Sequence, residues 1–440
     1  MKKVQNIIIG FGEGGQRLAL DFGRRREETL LIEKDPEMYG GTCTNVACIP
    51  AKYLLNQAEQ RKNEDPADYY RRSIQSKNEL TAELNAASYE KVSQTAHVEI
   101  MNGHARFVDN HTLQVGGEQV SGERIFIDTG SQPNILPIEG LEVGGNIHTS
   151  ETLLAEEDLP EKLAILGDGK IGLEFAHIYQ QFGSQVTIIS HSDHKNFLSH
   201  ADPDLDVAQM AYEDLKASGV DFLFEAETSK VNLPDIHFED GRTLEVDALL
   251  VATGRHPYTD DLGLENTDIT LNKRKGIEVN DHLQTKVPHV YALGDVRGGV
   301  QQSYLSLDDY RIIRSHLFEE GKYNLADQKP VPYTTFLVAP ISRVGYNEPS
   351  AERAGIDYTL HTLKVEDIPH AKVLGKTKGI FKVLIDPETD QILGATLYGA
   401  ESHELINTVA VAMEGQVTAS LLRNHIFTHP SMSESFNDIF

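Results

Sequence analysis

Two segments of this chain repeat one pattern, and that pattern narrows the fold more than any other feature. The first opens with the apolar run Val4-Gln5-Asn6-Ile7-Ile8-Ile9 and passes through Gly10-Phe11-Gly12-Glu13-Gly14-Gly15. It continues as a helical stretch to about Arg24, then as a second apolar run over residues 29–32 that ends on Glu33. The other segment reads Lys162-Leu163-Ala164-Ile165-Leu166, then Gly167-Asp168-Gly169-Lys170-Ile171-Gly172. A helix through Phe182 and a strand over 185–189, ending on Ser190, complete it. Strand, G-x-G-x-x-G turn and helix make a βαβ unit whose helix N-terminus can hold a pyrophosphate. Two such units predict an α/β chain with two Rossmann-like dinucleotide-binding domains.

The remaining 440-residue chain organises around this duplication. Short strands over 103–115 and 125–130 continue the first domain, and residues 248–254 close the second. The segment 277–297 returns to the first. After 321–330 the composition changes to alternating strands (333–338, 380–385, 392–397) followed by helices from Glu401, as expected for a separate α+β domain. The expected boundaries are 1–145 for the first domain, 146–260 for the second, 261–326 for the return segment and 327–440 for the C-terminal domain.

Bulk properties exclude several classes. A formal net charge of -27 repels nucleic-acid phosphates. No apolar run approaches the roughly 20 residues that span a bilayer. The apolar stretch after Met1-Lys2-Lys3 stops at Ile9 and meets glycines, so the apolar core of a secretion signal is missing. The expectation is a cytoplasmic protein without membrane or nucleic-acid partners.

Only two cysteines occur, Cys43 and Cys48, in Gly40-Gly41-Thr42-Cys43-Thr44-Asn45-Val46-Ala47-Cys48-Ile49-Pro50-Ala51-Lys52. In a reducing compartment a lone pair points to redox chemistry rather than to structural cross-linking. Residues five apart on a regular helix face about 140° away from each other, so a disulfide there needs an irregular first turn. Pro50 suits the start of such a helix, whose dipole favours a thiolate. Zinc binding and two structural thiols stay open on spacing alone, although zinc would need further ligands. Near the C-terminus, His429 and Glu434 have the spacing of an acid/base pair in which a carboxylate orients an imidazole; an incidental pair of surface residues fits the spacing equally.

The two glycine turns differ where a ribose would sit. Glu33 stands 23 positions after Gly10 and can accept from ribose hydroxyls. The matching place in the second unit is Ser190, followed by His191, His194 and Lys195, with Asp193 partly offsetting them. A missing carboxylate and nearby basic groups favour a 2′-phosphate, hence NADPH over NADH. Asp168 within that turn is unusual beside a pyrophosphate, and Lys170 is placed to compensate it.

Together these residues resemble the class I pyridine nucleotide-disulfide oxidoreductases, the family of dihydrolipoamide dehydrogenase, glutathione reductase and mercuric reductase. The resemblance rests on Gly10-x-Gly12-x-x-Gly15 with Glu33, Gly41-Thr42-Cys43-x₄-Cys48-x-Pro50-x-Lys52 and residues 167–174. It extends to Ala252-Thr253-Gly254-Arg255, Ala292-Leu293-Gly294-Asp295 and His429-Pro430-x₃-Glu434, and so covers essentially the whole chain. It implies an FAD domain, an NAD(P) domain and a C-terminal dimerisation domain in a homodimer.

The roles it implies are specific. Glu33 would hold the FAD ribose, Asp295 the ribityl chain and the backbone at Ala105 the adenine, with Gly41, Thr42, Thr129, Gly130 and Ser303 also at the cofactor. Gly167, Gly169, Gly172, Ser190, His191 and Gly254 would meet the nicotinamide nucleotide. Lys52 and Glu174 would pair at the hydride-transfer position. Cys48 would face the flavin and Cys43 the substrate, while His429, supported by Glu434, would come from the partner subunit. No metal-ligating set is implied. Lys170 replaces a tyrosine that often gates the nicotinamide, and Ser431 replaces the usual threonine.

Residues 306–311, 339–345 and 427–435 further resemble a bacterial RclA-like and hypothiocyanous acid reductase subgroup, which implies a small oxidant as substrate. Dihydrolipoamide dehydrogenase, glutathione-reductase-like, copper(II) or mercuric reductase activity are the enzymatic alternatives, and a flavoprotein redox sensor is the non-enzymatic one.

Overall fold

A computed structural model describes residues 1–199, 204–327 and 329–440. The chain forms two compact units. One comprises Met1–Pro137, Glu142–Leu159 and Val251–Asp327; the other comprises Ile138–Leu141, Pro160–Leu250 and Gln328–Phe440.

In the first unit, parallel strands Val98–Asn102, Thr29–Glu33, Lys2–Ile9 and Glu118–Ile127 lie in that order. Val290–Ala292 pairs parallel with Glu118–Ile127. Thr112–Val115 and Ala105–Phe107 extend the sheet antiparallel. The run Ile7-Ile8-Ile9 is continuous rather than alternating because both faces are covered. Ile7, Leu30 and Ile125 enter one apolar cluster. Ile8, Leu31 and Phe126 enter another, against Phe22 of helix Glu13–Arg24 and Ile312 of helix Ser303–Phe318.

The second unit repeats the motif. Strands Val220–Leu223, Gln185–Ile189, Lys162–Leu166 and Ala248–Val251 follow in that order, with helix Lys170–Phe182 after the second glycine turn. The same unit holds an antiparallel sheet of Tyr333–Thr335, Ile341–Gly345, Ile392–Tyr398, Ile380–Ile385 and Thr359–Lys364. Helix Ser402–Glu414 packs on it through Leu405, Ile406 and Val409.

Both ends of the segment expected as the second domain, 146–260, make contacts within the first unit. Arg255–Pro257 pairs antiparallel with Ser131–Pro133, and the Asn134 N–H donates to the Gly254 carbonyl at 2.9 Å, so residues 251–260 pack in the first unit. Residues 146–159 also belong there, where the buried Lys77 ammonium donates to the Leu154 carbonyl at 2.8 Å. No helix among the described residues is long and apolar enough to cross a membrane.

Within the second unit, residues 160–250 and the C-terminal sheet share a buried ion cluster. Lys382 lies on the inner sheet strand with its ammonium 2.9 Å from both Asp206 oxygens, 3.9 Å from Asp204 and in contact with Glu348. Burial opposes its charge, but the three carboxylates outweigh that and raise its pKa. The Tyr398 hydroxyl donates to Asp214 at 2.5 Å beside Lys378. Removing one partner of a buried pair leaves an uncompensated charge. Lys382→Ala therefore destabilises the protein by about 3 kcal/mol, read as a lower urea midpoint.

Candidate active site

Each glycine turn has the geometry its spacing predicts. Gly10 has φ +105°, Gly12 precedes the first helix without a side-chain cap, and a Cβ on Gly15 would stand 2.6 Å from the Gly10 carbonyl oxygen. The second turn matches: Gly167 has φ +115°, Gly169 precedes its helix, and a Cβ on Gly172 would stand 2.2 Å from the Gly167 oxygen. At the first turn the Gly14 and Gly15 N–H groups donate to Ser306 and Asp128 at 3.2 and 2.8 Å, and at both turns the N-terminal end of the helix favours an anion.

Around the first turn the expected cofactor residues converge. Gly41, with φ +76°, lies so close that its Cβ would be 2.9 Å from the Gly12 Cα. The Glu33 carboxylate accepts from the Phe11 N–H at 2.9 Å and from the Asp35 N–H at 3.1 Å. Burial raises its pKa, and those backbone donors oppose the rise. Thr129 donates to the Tyr258 carbonyl at 2.7 Å, and Gly130 is left-handed at φ +73°. Ser131 donates to Asp295 at 2.8 Å, and burial raises the Asp295 pKa. Ala105 is buried in its strand. Gly254 has φ +99°.

One residue here escaped the motif reading. Asp128 is buried beneath the first turn and accepts from the Gly15 N–H at 2.8 Å, with burial raising its pKa well above the ordinary aspartate value. The signal was present in the duplication: Asp128-Thr129-Gly130 answers to Ala252-Thr253-Gly254.

The cysteines straddle the irregularity their spacing requires. Cys43 lies in the short helix Gly41–Asn45; Val46 and Ala47 break it, and Cys48 begins helix Cys48–Gln60. Both are free thiols, Cys43 partly buried and Cys48 exposed. The Cys43 pKa falls to about 6. A hydrogen bond from Cys48 is the largest cause; burial opposes it, and the Ser303 hydroxyl and the Lys52 charge add to it. Ser303 opens helix Ser303–Phe318, so Ser303 stands beside a thiol.

In the second unit, His429 Nδ1 lies 2.9 and 2.8 Å from the two Glu434 oxygens, with the imidazole 68% exposed. Ser431 supports the turn by donating to the Thr428 carbonyl at 2.6 Å and accepting from the Glu434 N–H at 3.2 Å. Glu174 accepts from the Phe336 N–H at 3.0 Å. The two expected cross-pairs, Lys52 with Glu174 and the cysteines with His429, divide between the units, and each residue is placed within its own.

Two expectations about the nucleotide end are corrected. Lys170 does not sit on Asp168: its ammonium lies 4.0 Å from the Tyr333 ring centroid, with burial lowering its pKa and Glu174 and Arg343 as charged neighbours. The strand end is not without a carboxylate either. Asp168 supplies one, accepting from the Ser190 hydroxyl at 2.6 Å. His191 is exposed, whereas the His194 ring packs against Tyr212 and Phe224 with centroids at 4.5 and 5.4 Å. Its Nε2 is buried, while Lys195 next to it is exposed.

Comparison with known proteins agrees with this construction. Residues 4–309 match the family model described as pyridine nucleotide-disulphide oxidoreductase, and residues 331–439 match the dimerisation domain of the same family. The chain belongs to the pyridine nucleotide-disulphide oxidoreductase family. It is 41% identical to the protein named "Probable pyridine nucleotide-disulfide oxidoreductase RclA" of Escherichia coli (strain K12), with 100% of this chain and 99% of that one covered. It is 28% identical to a dihydrolipoyl dehydrogenase of Mycoplasma pneumoniae (strain ATCC 29342 / M129 / Subtype 1), with 98% and 97% covered. A solved Cu(II) complex of the HOCl-induced flavoprotein disulfide reductase RclA from Escherichia coli superposes with a TM-score of 0.94 at 40% identity, with 100% and 99% covered. The family uses FAD and NAD(P)H, and the two glycine turns and the buried Glu33 carboxylate fit such groups.

The thiol environment makes a direct prediction. With the Cys43 pKa near 6, iodoacetamide alkylates this residue in the reduced protein with a pH midpoint near that value, far below an ordinary thiol. Ser303→Ala and Lys52→Met each move the midpoint upward, because each removes a group that favours the thiolate. Peptide mapping across pH 5–9 reads both shifts.

Proposed function

We propose that this chain, as a homodimer, uses NAD(P)H to reduce a small electrophilic oxidant, hypothiocyanous acid. The observation that carries the reading is the Cys43 thiol, held largely as thiolate at neutral pH beside a second thiol. Full-length similarity at 41% to RclA, against 28% to a dihydrolipoyl dehydrogenase, supports it.

Bound FAD supplies the two-electron link between the nicotinamide and the Cys43–Cys48 pair. Gly10, Gly12, Gly15, Gly41, Thr42, Glu33, Ala105, Thr129, Gly130 and Asp295 would hold the flavin nucleotide; Gly167, Gly169, Gly172, Gly254, Ser190 and His191 would border the other. The resemblance gives Lys52 and Glu174 the hydride-transfer role. The Cys43 thiolate attacks the sulfur of hypothiocyanous acid, forming a Cys43 S–SCN bond and breaking the S–O bond. His429, oriented by Glu434, gives its proton to the departing oxygen, which leaves as water. The Cys48 thiolate then attacks Cys43 Sγ, thiocyanate leaves with the bonding pair, and the disulfide forms. Two electrons have passed from the dithiol to the oxidant.

Steady-state NAD(P)H oxidation with hypothiocyanous acid, lipoamide and glutathione disulfide as separate acceptors tests this. The oxidant is turned over with the highest kcat/KM, and Cys43→Ser lowers it by about a thousandfold or more. Efficient lipoamide turnover without oxidant turnover overturns the reading. A copper(II) reductase is the second reading, favoured by the Cu(II) complex of the similar RclA structure. No group of three or more His, Cys, Asp or Glu side chains that could hold a metal ion occurs among the described residues.

A further inference from the structure

We infer that Asp168 takes the place of the ribose-binding acid in the second dinucleotide site, and that this makes the chain select NADH over NADPH. The inference rests on the reading that the second glycine turn holds the nicotinamide nucleotide. It reverses the preference drawn from Ser190 and the basic residues that follow it.

The argument comes from laying one half of the duplication on the other. Gly10, Gly12 and Gly15 answer to Gly167, Gly169 and Gly172, and both strand-end residues, Glu33 and Ser190, stand 23 positions after the first glycine. Phe11 therefore answers to Asp168. In the first unit the carboxylate belongs to the strand end and accepts from the residue after the first glycine, Phe11 N–H to Glu33 at 2.9 Å. In the second unit the same two positions touch with the roles exchanged: the strand end donates, Ser190 Oγ to Asp168 Oδ2 at 2.6 Å. Asp168 is 8% exposed and Ser190 1%, against 8% for Glu33. Both halves therefore hold one buried carboxylate between the glycine turn and the strand end. Only the backbone position that delivers it differs.

The Ser190 hydroxyl fixes the Asp168 rotamer, and it is itself held by the Ser192 N–H at 3.1 Å. A fixed carboxylate at this place accepts from a ribose 2′-hydroxyl. Toward a 2′-phosphate, which carries close to two negative charges, it is repulsive and offers no donor. The His194 ring packs against Tyr212, and the exposed Asp193 lies between the exposed His191 and Lys195. Asp168 is a specificity-determining residue on this account, and Ser190 positions it.

Binding rather than turnover tests this most cleanly. ADP-ribose and its 2′-phosphorylated form are titrated calorimetrically into the full-length, flavin-loaded protein. ADP-ribose binds at least about tenfold tighter, and Asp168→Asn shrinks that ratio about tenfold. The double variant Asp168→Gly, Ser190→Glu, which returns the acid to the strand end, restores the preference and shows that any loss in Asp168→Asn is not misfolding. Equal or tighter binding of the 2′-phosphorylated ligand to the unaltered protein overturns the inference, as does an unchanged ratio in Asp168→Asn. If neither ligand binds, the placement of the nucleotide at this turn fails, and the inference falls with it.

Discussion

The close approach of a glycine Cα to a backbone carbonyl, made twice, is the constraint on which the rest depends. At Gly15 and at Gly172 the helix comes so near the preceding strand that a methyl group would overlap the carbonyl oxygen of Gly10 or Gly167. That approach sets the helix N-terminus at the carboxyl edge of each parallel sheet. Everything functional in the dinucleotide regions is placed relative to it: Glu33 and Asp168 beside the turns, Gly41 against Gly12, and the cysteine segment that follows Gly41.

Much of this was legible because glycine spacing and apolar runs are local signals. The helices Glu13–Arg24 and Lys170–Phe182 and the strand Gln185–Ile189 fall where the patterns put them. The break between Cys43 and Cys48 follows from helical geometry alone. What the sequence hid were contacts between distant residues. Nothing near Pro133 announces that Arg255–Pro257 will pair with it. The Ser190 hydroxyl donates to Asp168, 22 positions earlier, and no local pattern at the strand end announces that contact.

The thiol pair shows how non-local groups set local chemistry. Cys48 is five residues from Cys43, but Ser303 comes from a helix on the far side of the domain in sequence. Burial alone would raise the Cys43 pKa; two hydrogen bonds and Lys52 reverse the sign. A motif search finds the cysteines, yet only the fold supplies the groups that make one of them a nucleophile at neutral pH.

The ion cluster at Lys382 bears on modularity. Composition marks a seam near residue 327, as though the C-terminal domain could be exchanged between relatives as a cassette. The cluster says otherwise, since Asp204 and Asp206 lie before that seam while Glu348 and Lys382 lie after it. A chimaera cut there would carry two of these acids away from their buried cation unless the incoming domain brought a lysine to the same strand. Residues 160–250 and the C-terminal part of this unit are thus tied by one shared buried charge cluster.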